Sequence, residues 1–71
     1  MTETRQERFK RLAIYRTNAV LEKLRILGNL SNKANYDYSE EDVRKIFRAI
    51  EEQIKALKPK FFMKSKREFK L

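Results

Sequence analysis

The sequence predicts an all-α protein, an antiparallel helical hairpin of two long helices with a basic C-terminal tail or short third helix, self-associating into a helical bundle. Three observations predict it. Apolar residues recur at spacings of three and four in two long segments. The single glycine and the single proline, Gly28 and Pro59, each follow one of those segments. The stretch between them is short and rich in residues that hydrogen-bond their own backbone, Asn29 to Asp37. The implied organisation is a hairpin of residues 1–58 carrying a tail of residues 59–71.

The first helix is expected to begin near Thr4, where Thr4 and Glu7 have capping-box spacing, and to run to about Leu27 or Leu30. It carries two apolar faces. Phe9, Ala13, Val20, Leu24 and Leu27, flanked by Ile14 and Leu21, form the first. Leu12, Tyr15, Ala19, Ile26 and Leu30 form the second, about 80–100° away around the helix, with Arg5, Arg16 and Lys23 along one seam between them. One partner helix cannot cover both faces. Leu12, Tyr15, Ala19 and Ile26 are therefore expected to meet a second copy or a larger complex.

The second helix is expected over residues 39–58. Ser39 offers an N-cap oxygen, Glu40, Glu41 and Asp42 place acids at the positive end of the helix dipole, and Tyr38 and Val43 hold the positions of a hydrophobic staple. Val43, Ile46, Phe47, Ile50, Ile54 and Leu57 fall within an arc of about 100°, a single stripe that one neighbour covers. Val20, Leu24 and Leu27 are its expected partners. Arg48, Glu51, Glu52 and Lys55, at spacings of three and four, read as surface ion pairs.

A chain of 71 residues forms one domain at most, and a core of that size supplies about 3–5 kcal/mol. The chain has no cysteine and no histidine, so disulfides, the usual zinc sites, thiol nucleophiles and the commonest general base are excluded. No enzyme activity and no cofactor or metal is expected. The acids Asp37, Glu40, Glu41 and Asp42 could suit a hard cation, but they lack EF-hand spacing and have a capping role at a helix start. With no apolar run of membrane-spanning length and no signal-peptide core at the N-terminus, the chain is expected to be soluble and cytoplasmic, without a membrane partner.

The charge is +8, with 18 Lys and Arg against 10 Asp and Glu, and it is uneven. Residues 1–27 carry +4, residues 28–43 carry −3, residues 44–57 carry +2 and residues 58–71 carry +5. Arg5, Arg8, Lys10, Arg11 and Arg16 crowd three helical turns with Glu7 as the one acid inside the group, and an arginine-rich cluster so weakly opposed suits phosphates. Lys58, Lys60, Lys64, Lys66 and Arg67 repeat the pattern near the C-terminus, interleaved with Phe61, Phe62 and Phe69. Those phenylalanines are read as packing residues and the lysines as phosphate ligands. Asn29, Asn32 and Asn35 are read as turn formers, and Tyr36 is left without an assigned role.

Two functions fit these features. The first is a non-catalytic nucleic-acid-binding protein that holds RNA or DNA mainly by its phosphate backbone. The second is an adaptor or inhibitor subunit that docks the first helix onto a larger nucleic-acid-processing complex. The chain resembles, in type, the small basic helical-hairpin accessory proteins that phages, plasmids and other mobile elements encode, and it carries no motif diagnostic of a family.

Overall fold

The computed structural model describes residues 2–62, and every regular element among them is helical. Helix α1 spans Arg5–Gly28, a short 3-10 turn spans Asn29–Ser31, and α2 spans Glu40–Phe62. The chain divides between Asp37 and Tyr38 into two compact units, each built on one helix. Among the described residues no helix is long and apolar enough to cross a membrane.

The start of α1 follows the sequence expectation. Glu7 N–H donates to Thr4 Oγ1 at 3.0 Å while Thr4 N–H donates to Glu7 Oε1 at 2.9 Å, so two backbone donors that a helix start leaves without partners are satisfied reciprocally. The end of α1 departs from it. Gly28 does not act as a left-handed stop: its φ of −62° is right-handed helical, and the backbone runs on into the 3-10 turn. Asn29 N–H donates to the carbonyls of both Ile26 and Leu27, which closes the last turn without the conformation that glycine alone adopts cheaply.

Glycine at position 28 is therefore a cost without a return. A Cβ there would meet nothing within 4 Å. Gly28→Ala is expected to stabilise α1 by about 0.5–1 kcal/mol, the penalty glycine carries in a helix, read as a raised thermal midpoint in far-ultraviolet circular dichroism. A lowered midpoint would contradict the right-handed backbone at Gly28.

The segment that follows the 3-10 turn, within the first unit, is shaped by Asn32. Its side-chain oxygen accepts from Ala34 N–H at 2.9 Å, and its carbonyl accepts from Asn35 N–H at 3.1 Å and Tyr36 N–H at 3.0 Å. That is the turn geometry the asparagine spacing implies.

α2 opens on a second reciprocal cap. Asp42 N–H donates to Ser39 Oγ at 3.1 Å, and Ser39 N–H donates to Asp42 Oδ2 at 3.2 Å. Tyr38 and Val43 on either side are half-buried, as a hydrophobic staple requires. The Ser39 backbone hydrogen bond, with a smaller contribution from the Ser39 side chain, holds the Asp42 carboxyl below its ordinary range. A carboxyl lowered by folding contributes its stability above the unfolded value and loses it as pH falls through the folded one. Helix content is therefore expected to drop in acid from about pH 4 downward, and Asp42→Asn should remove part of that step. Coincident acid titrations of the two proteins would contradict a cap held by the ionised carboxylate.

The end of α2 corrects the sequence reading. The helix does not stop near residue 58; it passes through Pro59 and reaches Phe62. Pro59 lacks the N–H that would bond the Lys55 carbonyl, a cost that confines most prolines to helix starts. Here it sits about 160° around the helix from the row of Val43 and Phe61, so its ring and lost bond lie on the side away from the apolar stripe. Continuing past Pro59 brings Phe61 onto that stripe. Val43, Phe47, Ile50, Ile54, Leu57 and Phe61 then alternate four and three residues apart without interruption.

No described residue is fully buried. Within α1, Leu12, Ala13 and Leu27 are half-buried, and within α2 Val43 and Ile50 are. Val20, Ile46, Ile54 and Leu57 are exposed. The expected third helix or tail beyond Phe62 lies outside the described residues.

Candidate nucleic-acid interface

The first three turns of α1 carry all five cations of the N-terminal group, and all five are exposed. At about 100° per residue, Arg5, Arg8, Arg11 and Arg16 share an arc of about 140°, while Lys10 projects on the other side of the helix. Arg8 N–H donates to the Thr4 carbonyl at 2.9 Å, which fixes the backbone under the group.

Arg11 differs from the others. Its Nε donates to Glu3 Oε2 at 2.7 Å and its Nη2 to Glu3 Oε1 at 2.9 Å, a two-pronged pair between a helical residue and one that precedes the cap. The hydrogen bond, reinforced by the opposite charge, raises the Arg11 pKa and lowers that of Glu3. Counting acids only inside the group missed this partner. No helical spacing rule reaches from position 3 to position 11, because Glu3 stands outside the helix.

The two acids at this end are thus both engaged, Glu3 by Arg11 and Glu7 by the Thr4 cap. Arg5, Arg8, Lys10 and Arg16 form no ion pair among the described residues. Farther along, Arg25 Nη2 lies 2.5 Å from Glu22 Oε2, and this hydrogen bond raises the arginine pKa and lowers that of the glutamate. The last acid of α1 is therefore also spoken for.

On α2 the ion pairs lie at its start, Arg44 with Glu40 at 3.2 Å and Lys45 with Glu41 at 3.9 Å. Both follow the favoured order of glutamate four residues before a cation. Arg48, Glu51, Glu52 and Lys55 form no ion pair among the described residues, contrary to the sequence expectation. Arg48 precedes its acids, the weaker order. For Glu51 and Lys55, which stand in the favoured order, the structure offers no explanation.

Lys58 and Lys60 occupy the last turns of α2 and are exposed. Phe61 and Phe62 beside them are also exposed. Lys64, Lys66 and Arg67 lie outside the described residues. Tyr36 exposes its ring at the unit boundary. Among the described residues no cluster of acidic side chains could hold a metal ion. No family model matches this chain, and neither a curated protein nor a solved structure does.

Proposed function

We propose that this protein is a non-catalytic nucleic-acid-binding module that holds RNA or DNA by its phosphates through the start of α1 and the end of α2. The observation that supports it is the occupancy of the acids. With Glu3 on Arg11 and Glu7 in the cap, Arg5, Arg8, Lys10 and Arg16 present unopposed positive charge. Clusters of this kind bind polyanions through counterion release and attract them before contact.

The architecture this reading uses is the antiparallel hairpin. It sets the first face of α1 against the α2 stripe, and it brings the start of α1 and the end of α2 to one pole because the loop joins the other two ends. Lys58 and Lys60 would then extend the α1 group, with Lys64, Lys66 and Arg67 following. Glu40, Glu41 and Asp42 would stand at the opposite pole, which gives the molecule one phosphate-attracting end. Contacts to phosphates position a protein without reading bases, so sequence preference should be weak.

The test is a backbone amide NMR titration of the full chain with short single- and double-stranded RNA and DNA. Shifts concentrated at Arg5, Arg8, Lys10, Lys58 and Lys60 support the reading, and shifts spread evenly over the chain, or confined to residues 29–42, refute it.

A second reading, an adaptor that docks α1 onto a larger nucleic-acid-processing complex, is favoured by one observation. Tyr15, Ala19 and Ile26 are exposed on a second apolar face, which the proposed hairpin would leave uncovered. Salt separates the two, since phosphate binding weakens steeply as salt rises and apolar docking does not.

A further inference from the structure

α1 carries a row of cations that the nucleic-acid contact does not use in full. Arg5, Arg16 and Lys23 stand eleven and seven residues apart, which places them within about 20° of one line down the helix, over about 27 Å. Leu12, Ala19 and Ile26 lie along one side of this line, and Phe9, Val20 and Leu27 along the other. The three cations are exposed and form no ion pair among the described residues. The carboxylates that could have answered them are held by the Thr4 cap, Arg25 and Arg11. On the second apolar face Tyr15 is 71% exposed and Ile26 45%, while Leu12 is half-buried.

Cations set inside an apolar surface discriminate among partners. A nucleic acid supplies phosphates but no long apolar strip to cover Leu12, Ala19 and Ile26. At an anionic bilayer an amphipathic helix keeps its cations on the polar face at headgroup level, whereas this row runs through the apolar arc and would be carried toward the acyl chains. A second copy of α1 is disfavoured by charge. Parallel pairing sets Arg16 on Arg16 and Lys23 on Lys23, and antiparallel pairing about the row's midpoint sets Arg5 on Lys23. The α2 stripe of another copy is bordered by Arg44, Lys58 and Lys60 and by Glu40, Asp42 and Glu51, a balanced margin that offers a row of cations no net complement.

We propose that the face formed by Leu12, Arg16, Ala19, Lys23 and Ile26 docks an amphipathic helix of a different protein, whose apolar stripe covers the leucine and isoleucine and whose carboxylates, seven residues apart, meet Arg16 and Lys23. Such pairing supplies both the apolar area and the charge complementarity that set register and partner choice at helix interfaces. The proposal replaces the simple homodimer as occupant of this face. It also stands apart from the nucleic-acid reading, with which it shares Arg16 but not Lys23 or the apolar residues.

The test titrates the full chain with three synthetic helical peptides that share a leucine stripe and carry Glu, Gln or Lys at two positions seven residues apart beside it. The Glu peptide is expected to bind about tenfold tighter than the Gln peptide, and the Lys peptide weakest. Lys23→Glu and Arg16→Glu, each checked for unchanged helix content, should reverse the order of the Glu and Lys peptides. Equal binding of the Glu and Gln peptides, no binding of any peptide, or an order unchanged in both variants overturns the proposal. Oligonucleotide binding measured on the same samples reports separately on the nucleic-acid reading, because Lys23→Glu leaves its proposed phosphate contacts in place.

Discussion

Ile50→Ala is expected to destabilise the folded protein by about 2–5 kcal/mol, the range for large-to-small changes at packed aliphatic sites. Ile50 stands at the middle of the α2 stripe, and it and Val43 are its half-buried members. In the proposed hairpin it packs against Val20 and Leu24, and a domain whose core supplies about 3–5 kcal/mol has little to spare for such a loss. Urea titration followed by circular dichroism should show a midpoint displaced close to zero denaturant. A change below about 0.5 kcal/mol, typical of open surface positions, would contradict burial of the α2 stripe against α1.

The second large effect is electrostatic. Replacing Arg8 and Lys10 together by alanine should lower the slope of log affinity against log salt by about 0.9 per lost contact on duplex DNA, or about 0.7 on a single strand. Arg11→Ala should lower it less, because the Arg11 guanidinium is already forked onto Glu3. Glu3→Gln should act in the opposite direction by releasing Arg11 to a phosphate, which steepens the slope and tightens binding at low salt. A double variant with the wild-type slope, or a Glu3→Gln protein that binds more weakly, would move the phosphate contacts away from the start of α1.

Both helix starts were legible in the sequence because a cap is local: an oxygen at Thr4 or Ser39 and an acid three residues on suffice to form it. The α2 stripe was legible for the same reason, as periodicity needs no knowledge of the partner. Helix ends were harder. Gly28 and Pro59 both punctuate sequences, yet Gly28 stays right-handed where the backbone requires nothing else, and Pro59 is carried within α2 on the side away from its apolar stripe. As a result Phe61 was assigned to a tail when it belongs to the stripe. At the candidate site the cations themselves were readable from charge, but which of them are free was not. That depends on Glu3 doubling back onto Arg11, an interaction between a helix and the residue before its cap that no periodic spacing encodes.

The measurement closest to the central claim is the affinity of the full chain for labelled single- and double-stranded RNA and DNA across a salt series. We expect low-micromolar or tighter binding to at least one form at low salt, weakening linearly in log–log coordinates, with little dependence on base sequence. Absence of salt-sensitive binding to all four forms at low micromolar concentration would contradict the account and leave the docking of α1 onto a protein partner as the function of this chain.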